Sequence, residues 1–353
     1  MHFDFSVSFD MKKHINLPIF IPHLGCPNQC VFCNQRTISG VECFDVSKVK
    51  DEIDTALLSV DPGQEVEIAF FGGSFTGIDR DLMVSLLELA HGYIKSGAVS
   101  SIRCSTRPDY INDEILDILE KYGVKTVELG LQSSSDDVLM RTKRGHSASD
   151  EAYACDLLVK RGFTLIGQMM IGLPGSCEDS EIETARFIVN HGAKGARIYP
   201  TVVFYGTELC EMAREGEYSP ISLDEAVERS AKVLEIFKDN GVDVIRIGLC
   251  ASENLTSDEK YYAGPNHPAL GEMVESSVYY NKIVTRLEGD AHTGATLYVY
   301  VAKGCLSKAI GQKKSNIDKL MRNFGFSAVK IREDASLVGD ELILEEERKR
   351  ECT

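Results

Sequence analysis

The sequence contains no long apolar run and no apolar leader segment. No stretch approaches the roughly 20 uninterrupted apolar residues that a membrane-spanning helix needs. Residues 1–13 mix charged side chains with single apolar ones, unlike a secretory signal peptide. Basic residues are in the minority, because 38 Lys and Arg face 54 Asp and Glu for a formal net charge of −16. These features predict a cytoplasmic protein without membrane contact, and they argue against nucleic-acid binding over the whole surface.

The pattern of apolar residues predicts strands that alternate with helices over residues 17–249. A predicted strand at 164–171, for example, is followed by a helix at 178–190 and a strand at 196–203. Such alternation is typical of parallel βα units, which bind ligands at the carboxyl ends of their strands. The number of units fits an α/β fold with a partial or full parallel (β/α) barrel. We expect this barrel to occupy residues 1–250.

Three closely spaced cysteines, Cys26, Cys30 and Cys33, have the pattern C-x3-C-x2-C. Three thiolates can bind three irons of a [4Fe-4S] cluster, which leaves the fourth iron open. An open iron is a chemical site and not merely an electron store. The cysteines therefore indicate a catalytic iron–sulfur centre.

These cysteines have two other possible uses. A disulfide framework fits poorly, because the 353 residues contain 11 cysteines, an odd number, and the missing leader segment points to a reducing compartment. A structural zinc site would need a fourth ligand nearby, such as His23 or Cys43. The zinc site remains an alternative.

A second motif, Gly72-Gly73, follows the predicted strand at 66–71. Glycines have no Cβ atom, so backbone carbonyl groups can approach a ligand closely there. A carbonyl oxygen accepts a hydrogen bond from an ammonium group, such as the amino group of an amino-acid ligand. Taken alone, the pair is better explained by a tight turn.

The cysteine and glycine motifs together resemble the radical S-adenosylmethionine (SAM) enzymes, a class that includes oxygen-independent coproporphyrinogen oxidase. Further segments at 105–109, 127–133, 167–175 and 198–201 resemble, in order and spacing, the radical SAM region of the Elongator catalytic subunit. That family modifies wobble uridine in tRNA. The resemblance implies that the open iron chelates SAM. It also implies that an electron, from a donor such as flavodoxin or ferredoxin, cleaves SAM to a 5′-deoxyadenosyl radical.

The resemblance also implies roles for single residues. The three cysteines would bind the cluster, Phe32 would lie against the adenine, and Gly72 and Gly73 would hold the SAM amino group. No glycine-rich loop for the pyrophosphate of coenzyme A follows Leu249, so the acetyltransferase activity of the Elongator subunit is not carried over. The basic tRNA-binding extension that precedes the cysteines in that family is not expected either.

Other polar residues are candidates for the same site. Glu128 and Gln132, near the end of a predicted strand, would reach the ribose or carboxylate of SAM, and Gln168 would point into the barrel. Arg107 and Arg144 are candidates for binding a carboxylate or phosphate, because a guanidinium group binds both in a bidentate manner. We assign Arg144 to the cofactor and Arg107 to the substrate. A structural ion pair of Glu128 and Arg144 is the alternative, and His146 is expected to be a loop or cap residue.

Two smaller segments follow the barrel. Residues 251–292 are turn-rich and then helical, and we expect them to cap the barrel. His267 in this segment is either a polar contact to the substrate or a structural loop residue. Residues 345–353 form a charged tail that we expect to be disordered.

Residues 293–344 resemble a small α+β KH module. Residues 303–332 contain eight Lys and Arg and one acid, Asp318. In KH domains a GXXG loop between two helices clamps four nucleotides of a single strand, and the corresponding segment here is Gly311-Gln312-Lys313-Lys314. Lys314 replaces the second glycine, but Lys313 and Lys314 would both meet phosphates. The alternative is a module retained only for packing or dimerisation.

Three functions therefore compete. The first is a radical SAM enzyme that modifies RNA, with tRNA as the expected partner. The second is a radical SAM enzyme that acts on a small molecule, such as a tetrapyrrole-type carboxylate, with a structural C-terminal module. The third is an iron–sulfur or zinc protein that binds RNA without catalysis, and the combination of cysteines and Gly72-Gly73 argues against it.

Overall fold

The structure, a computed structural model, describes residues 14–21, 24–26, 30–34, 44–249, 261–287 and 292–348. These residues form two compact units. The first contains the described residues up to Gln168 together with Asn190–Gly195, and the second contains Met169–Val189 and the described residues from Ala196 onward. The alternative zinc ligands His23 and Cys43 lie outside the described ranges, as do residues 349–353 of the expected tail.

The first unit is built from strands that alternate with helices. Its strands are β1 (His14–Ile21), β2 (Glu65–Gly72), β3 (Ser101–Thr106), β4 (Val124–Gln132) and β5 (Thr164–Ile171), whose final residues belong to the second unit. Its helices are α1 (Val49–Leu57), α2 (Arg80–Lys95), α3 (Asp113–Lys121), α4 (Asp136–Arg141) and α5 (Ala148–Lys160). The strands lie side by side in chain order, and β1 to β4 pair in parallel. Their carboxyl ends therefore share one edge of the sheet.

The helices of this unit begin at residues that can cap them. The side chain of Asp79 accepts a hydrogen bond from the backbone N–H of Leu82 and starts α2, and Asn112 starts α3 in the same way. Ser147 and Asp150 form a reciprocal capping box at the start of α5. Such caps satisfy N–H groups that have no partner within the helix. Helix boundaries in this part of the chain are therefore set by local sequence.

The second unit begins within β5 and contains further alternating elements followed by a small module. Its strands are β6 (Gly195–Pro200), β7 (Val203–Phe204), β8 (Asp243–Ile247), β9 (Tyr261–Ala263), β10 (Thr296–Val301), β11 (Ala328–Glu333) and β12 (Leu342–Glu347). Its helices are α6 (Glu178–Asn190), α7 (Glu208–Arg214), α8 (Leu223–Asp239), α9 (Leu270–Arg286), α10 (Leu306–Ile310) and α11 (Ser315–Phe324). In the main sheet β5, β6 and β8 are neighbours in that order. No helix within the described ranges is both long and apolar enough to cross a membrane.

The C-terminal module is a three-stranded sheet in the order β11-β10-β12. Strand β10 pairs in parallel with β11 and antiparallel with β12. Its hydrophobic core combines Leu297, Val299 and Val301 with Tyr279 and Ile283 from α9. The predicted α/β class, with parallel strands and a small α+β module at the C-terminal end, is confirmed. The division between residues 292 and 293 stays a prediction, since α9 shares its core with the module.

Two details of the predicted elements are wrong. The predicted strand at 196–203 is interrupted, because β6 ends at Pro200 and β7 begins only at Val203. Thr201 still contacts β5, since its backbone N–H and its hydroxyl donate to the carbonyl of Ile171 at 2.9 and 2.7 Å. After this point β7 is no longer part of the main sheet and pairs instead with β9. The tail expected from residue 345 is also shorter, because β12 continues to Glu347. The carboxylate of Glu347 accepts a hydrogen bond from the Tyr298 hydroxyl on β10 at 3.0 Å, which holds this charged segment in the sheet.

The glycines at the end of β2 are required by the chain that follows β1. A Cβ atom on Gly73 would lie 2.3 Å from the carbonyl oxygen of Leu24, and one on Gly72 would lie 2.9 Å from that of Ile21. Gly72 also has φ = +112°, which side chains rarely adopt. Backbone close approach therefore explains both glycines before any ligand is considered.

Gly73→Ala is expected to destabilise the protein, because the new methyl group would collide with a backbone carbonyl that cannot rotate away. Overpacking of this kind costs about 1–3 kcal/mol. The matched control is Gly92→Ala in α2, where a Cβ atom meets nothing within 4 Å and helix propensity favours alanine by up to about 1 kcal/mol. Urea unfolding followed by circular dichroism measures both. Equal stability of Gly73→Ala and the wild type would contradict the close approach.

Candidate functional site

The three cysteines follow β1 in a loop whose described part is fixed by backbone hydrogen bonds. The N–H of Cys33 donates to the carbonyl of Cys30 at 3.0 Å, and the N–H of Val31 donates to the carbonyl of Thr142 at 3.2 Å. Cys30 is buried, whereas Cys26 and Cys33 are half-buried. The loop is thus held against the segment that follows α4, and its cysteines lie near the carboxyl end of β1.

The sulfur of Cys30 lies against two buried arginines. Nη1 of Arg144 is 3.3 Å from Cys30 Sγ, and Nη1 of Arg107 is 3.9 Å from it. Arg144 is only 6% exposed and Arg107 only 4%. Nη2 of Arg144 donates to the carbonyl of Gly130, and Nη2 of Arg107 donates to the carbonyl of Arg144. The structure therefore brings Cys30, Arg107 and Arg144 together, although the sequence assigned them to different ligands.

Arg107 belongs to a network of side chains that also contains Asp109, His146 and Glu151. The carboxylate of Asp109 accepts two hydrogen bonds from Arg107, each of 2.9 Å, and lies 3.5 Å from Nδ1 of His146. Nε2 of His146 is 3.0 Å from Glu151 Oε1, with both side chains buried. His146 lies in the loop before α5, as predicted, but it is an internal member of this network.

The electrostatics of the network follow from burial and pairing. Burial opposes ionisation of Asp109, but the hydrogen bonds with His146 and Arg107 outweigh it and lower the pKa of Asp109 well below its usual range. Burial opposes the charge of Arg107 too, but pairing with Asp109 outweighs it and raises the pKa of Arg107. The opposite holds for Glu151, since its burial outweighs the contact with His146 and raises the pKa of Glu151 to about 7. Arg107 and Asp109 thus form a stable ion pair beside the cysteine sulfur.

The Gly72-Gly73 segment lies at the same edge of the sheet as the cysteines. The N–H of Gly73 donates to the carbonyl of Ile21 at 2.9 Å, at the end of β1. The hydroxyl of Ser74 is 3.7 Å from Cys26 Sγ. The two motifs are therefore adjacent, as the parallel-strand prediction requires. Whether Gly72 and Gly73 contact a ligand stays a prediction.

A second polar cluster crosses β2, β3, β4 and β5. Glu128 is completely buried; its Oε1 accepts from Arg103 Nη1 at 3.0 Å and its Oε2 from Gln168 Nε2 at 2.8 Å. Arg103 also pairs with Glu67, at 2.7 Å from Nη2 to Oε2. The carboxylate of Glu128 is thus bound by protein groups on both oxygens. Its assignment to the ribose or carboxylate of SAM stays a prediction, and Arg103 provides an ion-pair partner that the sequence did not indicate.

Gln132, Phe32 and Gln168 are the other side chains predicted to contact SAM. Gln132 ends β4 with φ = +74°, a left-handed conformation that is rare outside glycine and costs about 1–3 kcal/mol. Its side chain is half-buried, and so is that of Phe32. Gln168 is also half-buried. These three side chains remain predictions for SAM binding.

Sequence reasoning missed Arg103, Glu67, Asp109 and Glu151. None has a spacing that identifies its partner. Glu67, Arg103 and Glu128 lie on three different strands, and the i, i+2 pair of Arg107 and Asp109 has no characteristic sequence pattern. Tertiary structure was needed to find both networks.

Within the described residues, no group of three or more His, Cys, Asp or Glu side chains is arranged to hold a metal ion. The chemistry of the donor set nevertheless suits an iron–sulfur cluster. It offers three thiols in one loop, soft ligands that prefer iron–sulfur clusters or zinc, with two guanidinium groups beside one of them. Ligation by Cys26, Cys30 and Cys33 stays a prediction.

The remaining candidates belong to the second unit. Lys313 and Lys314 are exposed and lie between α10 and α11, where the KH resemblance places a nucleotide-binding loop. They have φ of +51° and +65°, so both adopt a conformation that glycine would adopt without strain. His267 accepts a hydrogen bond from the N–H of Ala269 at 3.1 Å and stabilises a local turn. This contact fits the structural alternative for His267.

Two families match the chain in succession. Residues 20–188 match the Radical SAM superfamily, and residues 193–280 match the Radical_SAM C-terminal domain. Members of the superfamily use a [4Fe-4S] cluster and SAM. The first of these ranges includes every candidate site residue from Cys26 to Gln168.

Several known proteins are similar to this chain. An uncharacterized protein of Methanocaldococcus jannaschii is 29% identical over 236 residues, which cover 64% of this chain and 72% of that protein. The tRNA uridine(34) acetyltransferase of the same organism is 31% identical over 189 residues, which cover 47% of this chain and 35% of the enzyme. The chain thus spans only about a third of that acetyltransferase.

A solved structure shares the fold. The archaeal Methanocaldococcus infernus Elp3 with an N-terminal deletion aligns with a TM-score of 0.62 at 23% identity, and the alignment covers 78% of this chain and 64% of the Elp3 chain. The likeness confirms the predicted fold class. Together with the two matched domains and the related tRNA-modifying enzymes, it confirms the resemblance predicted from the sequence. This chain belongs to the radical SAM superfamily of enzymes and is homologous to the radical SAM region of Elp3.

Proposed function

We propose that this enzyme binds a [4Fe-4S] cluster through Cys26, Cys30 and Cys33 and binds SAM beside it. When bound, the cluster supplies the electron that cleaves SAM to a 5′-deoxyadenosyl radical. One observation carries the proposal: the Cys30 thiol is buried beside Arg144 and Arg107. Cationic hydrogen-bond donors stabilise a sulfur that ligates iron as a thiolate. Beside a neutral thiol, burying these charges would cost free energy that the thiol could not offset.

The residues around the cysteine loop bind and orient the cofactors. The backbone carbonyls at Gly72 and Gly73 accept hydrogen bonds from the SAM amino group, and Phe32 packs against the adenine. Gln132 contacts the ribose or carboxylate. Glu128 would also reach the ribose or carboxylate, and Gln168, which is hydrogen-bonded to Glu128, would point into the barrel.

We infer that the substrate is RNA, and specifically tRNA. The relatives named tRNA uridine(34) acetyltransferase support this substrate, and so does the basic segment at 303–332. Residues 1–250 form the catalytic barrel, residues 251–292 extend it, and the KH-like residues 293–344 grip the RNA through Lys313 and Lys314. A cytoplasmic reductant such as flavodoxin or ferredoxin supplies the electron.

Replacing Cys26, Cys30 or Cys33 with Ala is expected to abolish both iron binding and SAM cleavage, because each loss leaves only two thiolate ligands. The reconstituted wild type should contain about four irons per chain. The matched control is Cys177→Ala, which removes an exposed thiol of the second unit and should change neither quantity. Iron analysis and chromatography of 5′-deoxyadenosine measure the outcome. SAM cleavage at the wild-type rate by a triple alanine variant would refute the proposal.

The double variant Lys313→Glu with Lys314→Glu is expected to weaken RNA binding about tenfold or more. Losing two phosphate contacts should also reduce the slope of log K against log salt by about 1.4 units for a single strand. SAM cleavage without RNA should persist. Filter binding of total tRNA at several salt concentrations measures the affinity and the slope.

The matched control for this charge reversal is Lys48→Glu with Lys50→Glu, two exposed lysines of the first unit. It changes the net charge by the same amount outside the basic segment, and it should leave RNA affinity nearly unchanged. If the two double variants lose affinity equally, Lys313 and Lys314 form no specific contact. Absence of tRNA binding at low salt would favour a small-molecule substrate and a structural module.

A further inference from the structure

Arg144 is held against the sulfur of Cys30 by hydrogen-bond contacts on both of its terminal nitrogens. Arg144 Nη1 lies 3.3 Å from the sulfur, which is within hydrogen-bond range for sulfur. The second terminal nitrogen of the guanidinium group, Nη2, donates to the carbonyl of Gly130 on β4. A buried arginine whose two terminal nitrogens both have partners has little freedom to turn away from the sulfur.

Arg107 supplies a second, more distant positive charge to the same sulfur. Its bidentate pair with Asp109 fixes the plane of the guanidinium group, and its Nη2 donates to the carbonyl of Arg144. Asp109 in turn lies 3.5 Å from His146. The two arginines are thereby linked to each other, and the Asp109 carboxylate partly offsets the charge of Arg107.

Cys26 and Cys30 differ in the charge of the group that lies beside the sulfur. The sulfur of Cys26 has a neutral hydroxyl as neighbour, that of Ser74 at 3.7 Å, whereas the sulfur of Cys30 has a guanidinium group at 3.3 Å. A cluster held by these thiolates would thus carry a charged hydrogen-bond donor at the Cys30 corner. Hydrogen bonds to the sulfurs and net charge are two of the protein's means of setting a cluster's reduction potential.

We propose that Arg144 is a positioning residue that raises the reduction potential of the cluster by donating a hydrogen bond to the Cys30 sulfur, with Arg107 in support. The inference rests on the proposed function. Reduction adds one electron to the cluster and hence one negative charge, which a nearby guanidinium group stabilises more than the oxidised form. An external one-electron reductant, the flavodoxin or ferredoxin type proposed above, supplies that electron.

The test is a redox titration of the reconstituted protein with dithionite, followed by electron paramagnetic resonance in the absence of SAM. Arg144→Gln removes the charge, and we expect its midpoint potential to fall by the equivalent of a tenfold or larger change in the reduction equilibrium, which is about 59 mV for one electron. The matched control is Arg161→Gln, a charge removed from the surface of the same unit, where Arg161 pairs with Asp113, Asp117 and Glu120. Its potential should equal that of the wild type.

Arg144→Lys keeps the charge but cannot contact both the Gly130 carbonyl and the sulfur with one ammonium group. Its potential should fall less than that of Arg144→Gln, and it serves as the test if Arg144→Gln does not fold. Equal potentials of the wild type and the assembled Arg144 variants would overturn the inference, and so would equal shifts in Arg144→Gln and Arg161→Gln. A wild type that assembles no cluster would instead refute the proposed function.

Discussion

The candidate site depends on one interaction, the packing of two buried guanidinium groups against the sulfur of Cys30. Burying a charge is expensive unless it is paired. Arg107 is paired with Asp109, and Arg144 is held between the Gly130 carbonyl and the cysteine sulfur. The cysteine loop, the end of β4 and the loop before α5 are thereby fixed together. A change in any of them would alter the surroundings of the predicted iron ligand.

A second constraint acts where β1 and β2 end. The backbone at Leu24 passes so close to Gly73 that no side chain fits between them. This contact brings the cysteine loop next to the Gly72-Gly73 segment before any cofactor binds. The buried cluster of Glu128, Arg103 and Glu67 ties the middle of the neighbouring strands together. Cofactor binding thus takes place on a scaffold whose polar groups are already paired.

Much of this arrangement could be predicted from the sequence. The strand at Thr164–Ile171 and the helix at Glu178–Asn190 have the predicted bounds, because local periodicity and turn residues determine them. The adjacency of Cys26 and Gly72-Gly73 follows from the shared edge of parallel strands. The contacts of Arg107 and Arg144 with Cys30 could not be predicted, since contacts between residues far apart in sequence depend on register and side-chain packing. The interruption after Pro200 could not be predicted either, because β7 pairs with β9, which is distant in sequence.

The proposed function depends on one iron that the three cysteines leave open for SAM. It is tested most directly by the electron paramagnetic resonance spectrum of the reduced, reconstituted protein before and after addition of SAM. Chelation of the open iron by the amino and carboxylate groups of SAM should change the g values of the cluster. The change should be absent with S-adenosylmethionine that lacks its free amino group. A spectrum identical with and without SAM, in a protein that contains the cluster, would contradict the account.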